Sequence, residues 1–96
     1  MEDNPKITIA IPVYNGEKFL KKCVESILKQ TRVDFQLIIS DNASIDGTAA
    51  ICKEYEKKDE RIKCIFQKKN MGSINNFKIL LEHAIGDYFL FVGVDN

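Results

Sequence analysis

Hydrophobic positions along the chain switch between two periods. Ile7-Thr8-Ile9-Ala10-Ile11-Pro12-Val13 is short and rich in β-branched residues, which predicts a strand, and Pro12 marks where its ladder finishes. Asn15 can then cap a helix whose apolar positions, Phe19, Leu20, Cys23, Val24, Ile27 and Leu28, fall on one face at the 3.6-residue period. Phe35–Ile39 predicts a second strand. Asp46 offers the next N-cap, and Ala50, Ile51 and Tyr55 give a weaker apolar face running to Lys58. A third strand follows over Ile62–Gln67. Ser73 can cap a third helix with Ile74, Phe77, Leu80, Leu81 and Ala84 inward, closed by Gly86. Tyr88–Val92 is the last strand.

The order β-α-β-α-β-α-β, with helices long enough to be crossovers, predicts an α/β Rossmann-like parallel sheet covered on both faces. Its crossovers should be right-handed. No internal repeat or low-complexity stretch is present. At 96 residues the chain is one domain, with a polar tail over 1–5 and the folded part over 6–96. A domain of this size buries a modest share of its surface, so its stability margin is thin.

Charge narrows the function. The 14 basic and 14 acidic residues cancel, so no bulk attraction to nucleic acid is expected. The lysine pairs at 21–22, 57–58 and 68–69 read as solvated faces. Cys23, Cys52 and Cys64 lack metal-ligand spacing and read as reduced, small apolar residues of a cytoplasmic protein. The polar, acidic start is not a signal peptide, and no apolar run approaches a membrane span.

In a sheet of this kind ligands bind beyond the carboxyl ends of the strands, where the winding reverses. The segments there are Tyr14-Asn15-Gly16, Ser40 to Thr48, Lys68 to Ser73 and Gly93 to Asn96, and most carry an aspartate or a side-chain amide. Their convergence on one rim points to a polar ligand. Neither a dinucleotide fingerprint nor a phosphate-binding P-loop follows the first strand. A diphosphate would need another counter-charge, and a divalent metal (Mn or Mg) held by Asp95 would supply it.

Simpler roles stand beside these. Asp41 can begin an Asx-turn, and Asp46 reads as a structural cap. Tyr14 is either a half-buried core aromatic or a platform for base stacking. Asn75 and Asn76 sit in a first helical turn, where capping and solvent suffice, and His83 reads as a surface residue.

Ile11-Pro12-Val13-Tyr14-Asn15, Ser26 to Thr31, Asp41-Asn42-Ala43-Ser44-Ile45-Asp46-Gly47-Thr48, Asn70 with Gly72, and Gly86 to Phe91 before Val94-Asp95-Asn96 occur in the order of a known family. Together they resemble the opening of the family 2 glycosyltransferases, over about residues 6–96. The resemblance implies a GT-A type fold, truncated here, which holds the half that binds a nucleotide-diphosphate sugar, UDP-linked by expectation. It further implies a divalent metal and inversion at the anomeric carbon. Residue by residue, it puts Pro12, Val13, Tyr14 and Asn15 beside the nucleoside and Asp41 against a uracil-like base, accepting its ring N–H. Asp95 matches the metal-holding aspartate, whereas many members have a further aspartate where this chain has Gly93 and Val94. The catalytic base comes from a later segment in the family, so no catalytic residue is expected within these 96. A later strand would also pair with Tyr88–Val92. Without it, the apolar edge predicts a homodimer. The rival from another class is a non-catalytic nucleotide-binding or interaction module. A flavodoxin-like domain is disfavoured by the lack of a phosphate loop after the first strand.

Overall fold

The computed structural model describes residues 5–31 and 34–93. Its elements run β1 (Ile7–Val13), α1 (Glu17–Gln30), β2 (Phe35–Asp41), α2 (Thr48–Lys58), β3 (Ile62–Phe66), α3 (Ser73–His83) and β4 (Tyr88–Phe91). The strands form one parallel sheet in the order β3-β2-β1-β4. The chain therefore winds from β1 out to β3, then crosses back to place β4 on the other side of β1. With right-handed crossovers, that reversal must put α3 on the opposite face from α1 and α2.

The core divides accordingly. On one face Ile9, Ile11, Val13, Leu37 and Ile39 pack against Leu20 and Val24 of α1 and Cys52 and Tyr55 of α2. On the other, Ala10 and Ile38 meet Leu80 of α3, with Ile65 and Phe89 alongside. β1 and β2 have helices on both faces, so alternate residues of both sets are buried and burial runs nearly unbroken along both strands. Each buried Leu or Ile contributes about 1.5–3 kcal/mol of transfer free energy. Tyr55 reaches across from α2 and donates its hydroxyl to Glu25 Oε2 at 2.7 Å, joining the two helices of that face.

The predicted strands are all present with small shifts: β2 runs on through Ser40 to Asp41, and β3 and β4 each end a residue early. Pro5 is the one residue of the expected tail within the described set. Helix starts differ more. Gly16, Gly47 and Gly72 occupy the N-cap positions, none with a side chain to offer, so Asn15, Asp46 and Ser73 are not the N-caps expected of them. The orphan amides are met from neighbouring loops instead. Asp46 Oδ2 accepts from Glu17 N at 3.2 Å, and its Oδ1 accepts from the Thr48 amide at 2.9 Å and from the Thr48 hydroxyl. One carboxylate thus serves the first turns of both α1 and α2.

The expected faces of α2 and α3 also need correction. Ala50 is exposed, and Thr48, Cys52 and Tyr55 are the buried positions of α2. In α3, Ile74 is 72% and Leu81 46% exposed, while Asn76 is buried with Leu80. Gly86 does not close α3, which ends at His83. It lies in the turn before β4, donating its N–H to Thr8 Oγ1 at 2.8 Å. His83 is exposed as expected. Among the described residues no helix is long and apolar enough to cross a membrane.

Candidate functional site

β1 runs on to Val13 beyond the end of its pairing with β4 at Ala10, and the strand order reverses between these two strands, where a crevice is expected. It holds a cavity of about 430 Å³ lined by Pro12, Val13, Tyr14, Asn42, Asn70, Ser73, Asn76, Phe91 and Gly93. Pro12 to Tyr14 make the β1 wall, and Asn70, Ser73 and Asn76 bring in the approach to α3 and its first turn. Phe91 and Gly93 come from the end of β4. Phe91 packs edge-on against Phe77 at 4.8 Å, which fixes its ring from the α3 side. Tyr14 is 48% exposed, so its ring belongs to the cavity wall and not to the core.

Behind the wall runs a chain of amides and hydroxyls. Ser40 Oγ donates to Asn76 Oδ1 at 2.5 Å, and Asn76 Nδ2 donates back to the Ser40 carbonyl at 3.0 Å. Gln67 Nε2 also donates to Ser40 Oγ. Asn42 Oδ1 accepts from the Met71 amide at 2.8 Å, and its Nδ2 donates to Asn70 Oδ1 at 3.0 Å. Among the described residues no buried side-chain nitrogen or oxygen lacks a partner. A network whose buried members are all satisfied is stiff, because an unpaired member in low dielectric costs about 1–3 kcal/mol.

The expected site residues separate. Pro12, Val13 and Tyr14 line this cavity together. Asn15 does not. It lines a second hollow with Glu17, Lys18, Phe19 and Asp46, in a left-handed conformation (φ 53°), its Oδ1 accepting from Ile45 N at 2.9 Å. Asp41 lines neither hollow. It ends β2 opposite Val13, is 2% exposed, and its Oδ1 accepts from the Ser44 amide and hydroxyl. Its Oδ2 has no hydrogen-bond partner among the described residues. The Asx-turn reading of Asp41 is therefore present in the geometry, with one oxygen unspent.

Asp95 and Val94 lie outside the described residues. Among those described, no group of three His, Cys, Asp or Glu side chains could hold a metal ion. The residues missed by the expected set are Asn42, Asn70, Ser73, Phe91 and Gly93, with Asn76 read as a capping or solvent position. The available signal was the density of side-chain amides after β2 and before α3.

A parallel α/β layer with a cavity at its winding reversal has its opening where sheets of this kind take ligands. The match to known proteins sharpens this: the family model for glycosyl transferase family 2 covers residues 8–96, and the chain belongs to that family. It is 36% identical over 91 residues to glycosyltransferase GlyA of Streptococcus pneumoniae, covering 95% of this chain and 13% of GlyA. Residues 1–349 of Staphylococcus aureus TarS in complex with UDP superpose with a TM-score of 0.84 at 29% identity, over 94% of this chain and 27% of that one. The same TarS region in complex with UDP-GlcNAc gives 0.82 at 28%, over 94% and 26%. A Pyrobaculum calidifontis mannosyltransferase, in complex with GDP-Man and Mn2+, shares the fold with a TM-score of 0.84 at 21% identity, over 97% and 28%. The chain spans less than a third of each of these proteins.

Proposed function

We propose that this domain binds the donor of a glycosyltransferase reaction, a nucleotide-diphosphate sugar with uridine as its nucleoside, in the cavity between β1 and β4. The observation that carries this reading is the cavity itself. Tyr14 offers an exposed ring from β1, side-chain amides line the α3 wall, and the site sits where the strand order reverses. The likeness to UDP-bound and UDP-GlcNAc-bound TarS supports uridine. Pro12, Val13 and Tyr14 flank the nucleoside, and Asp41 Oδ2, at the end of β2 opposite Val13, is the acceptor we assign to a ring N–H. Asn15 acts from behind, holding the β1–α1 loop to the β2–α2 loop.

Asp95 follows Gly93 of the cavity lining by two residues in the sequence. We assign it the divalent metal. With no protein cluster among the described residues, the rest of the coordination would fall to diphosphate oxygens and water, as is usual for magnesium. The metal would neutralise the departing diphosphate. The described cavity lining has no carboxylate, so activating an acceptor hydroxyl in an inverting transfer is work for a group elsewhere in the enzyme. Tyr88, Leu90 and Phe91 are 64%, 52% and 47% exposed along β4, and we propose that two copies of this chain pair at that open edge.

Thermal shift with uridine diphosphate, guanosine diphosphate and pyrophosphate, with and without manganese, tests the donor reading. At 100 times the dissociation constant, binding should stabilise the fold by about 2.7 kcal/mol. Asp95→Ala should remove the metal dependence and keep weak uridine binding, whereas Asp41→Ala should weaken uridine more than pyrophosphate. Equal losses in both variants would mean the roles are misassigned.

A further inference from the structure

We propose that Asn42 is a positioning residue for the nucleotide: its carboxamide latches the β3–α3 loop and thereby decides which group Asn70 presents to the cavity. The inference rests on the donor-binding reading above. Asn42 follows β2 directly, is 3% exposed, and donates its backbone N–H to the Val13 carbonyl at 2.9 Å, which ties it to the β1 wall. Its side chain faces the other way across the sheet end. Oδ1 accepts from the Met71 amide at 2.8 Å, and Nδ2 donates to Asn70 Oδ1 at 3.0 Å and, more weakly, to the Gly72 carbonyl at 3.4 Å. Both amide hydrogens are thus spent on the protein, so Asn42 borders the cavity without a donor left for a ligand. What it sets is the spacing between the β1 wall and the α3 wall.

Asn70 shows the consequence. Its Oδ1 accepts from Asn42 Nδ2 and from the Gly72 amide at 2.8 Å, which uses both lone pairs. Its Nδ2 has no partner among the described residues, and Asn70 lines the cavity. The latch therefore leaves an NH2 group as the polar contribution of Asn70 to the site. That group suits the carbonyl and phosphate oxygens in which a nucleoside diphosphate is rich. Gly72, at φ 85°, makes the turn that lets the loop close on Asn42 and still start α3 at Ser73. Without the donor of Asn42, the Asn70 amide could turn over and offer an oxygen, which would repel the same ligand.

Asn42→Asp is the discriminating variant. Its carboxylate keeps the Met71 bond but cannot donate, so the Asn70 NH2 should rotate toward it. Titration calorimetry with uridine diphosphate is expected to show about a tenfold loss of affinity with the melting temperature little changed, equivalent to about 1.4 kcal/mol. In nitrogen-15 spectra, the Asn70 side-chain NH2 pair should move on ligand addition in the wild type and stay still in Asn42→Asp, a signature that mere loosening of the fold would not give. Should Asn42→Asp unfold, Asn70→Asp titrated with uncharged uridine decides, since it keeps both accepted bonds and exchanges the NH2 for an oxygen whose charge meets no phosphate. A tenfold loss there supports the latch. Wild-type binding with affinity within twofold in the folded variant overturns it. Wild type that does not bind uridine diphosphate at all removes the donor reading first, and this inference with it.

Discussion

Gly86→Ala probes the joint that fixes β4, and with it one side of the cavity. A methyl group at position 86 would lie 2.5 Å from Thr8 N, 2.7 Å from Ile7 C and 2.9 Å from Thr8 Oγ1. The nearest of these are backbone atoms of β1, an inner strand bonded on both sides, which cannot step aside without breaking its ladders to β2 or β4. The turn must move instead, and the hydrogen bond from Gly86 N–H to Thr8 Oγ1, 2.8 Å long, breaks first. Overpacking of this kind costs about 1–3 kcal/mol, and the broken bond adds about 1 kcal/mol. The reduced freedom of alanine in the unfolded chain returns less than about 1 kcal/mol. The sum, about 1–4 kcal/mol, is a large share of the stability of a small domain. At about 4–8 °C per kcal/mol for this size, Tm should fall by roughly 4–30 °C. Calorimetry measures the shift, and amide exchange should show Phe89 and Phe91 losing protection before the β2 amides. A Tm within about 2 °C of wild type would refute the reasoning, because the clash would then be relieved at no cost.

Other expectations follow from single features. Ala43 sits at φ 63°, where a β-carbon is strained, so Ala43→Gly should raise stability by about 1 kcal/mol in urea titration. For Asp46, burial pushes the carboxyl up, but hydrogen bonds from the Thr48 hydroxyl and amide and the Glu17 amide outweigh it and hold the group below the usual range. A depressed folded value stabilises above the unfolded value of about 3.9 and is lost as pH falls through the folded one. Asp46→Asn should therefore be less stable than wild type at pH 7, with the gap closing at and below about pH 4. At the β4 edge, light scattering over micromolar concentrations should show a dimer, and Leu90→Lys should return it to monomer. A monomeric mass at every concentration contradicts the edge pairing.

The layers of the fold were legible because they depend on local period. β1 and β2 are buried at nearly every position, since helices cover both faces, and α1 keeps Leu20 and Val24 on the inward side, as its 3.6-residue pattern requires. What escaped the sequence depends on partners far along the chain. A helix start read from the nearest capping residue goes astray here, because Glu17 is capped by Asp46 and Gly16 N by Thr48 Oγ1, partners 29 and 32 residues away. The face of α3 is misjudged by an apolar template, which cannot credit Asn76. That side chain is buried because Ser40 at the end of β2 satisfies both ends of its amide. The same limit hid most of the cavity. Pro12, Val13 and Tyr14 stand out beside a strand end, whereas Asn42 and Asn70 gain meaning only once the loops after β2 and β3 are seen to interlock.

The central claim is that a uridine nucleotide occupies the cavity at the winding reversal. Amide chemical-shift mapping with uridine diphosphate tests it most directly, because it reports location as well as binding. Saturable shifts are expected at Val13, Tyr14, Asn42, Asn70, Asn76 and Gly93, with Lys18 and Phe19 in the second hollow and Lys53 and Lys57 on α2 unmoved. Shifts centred on Lys18 and Phe19, or none at millimolar ligand in a folded sample, would contradict it.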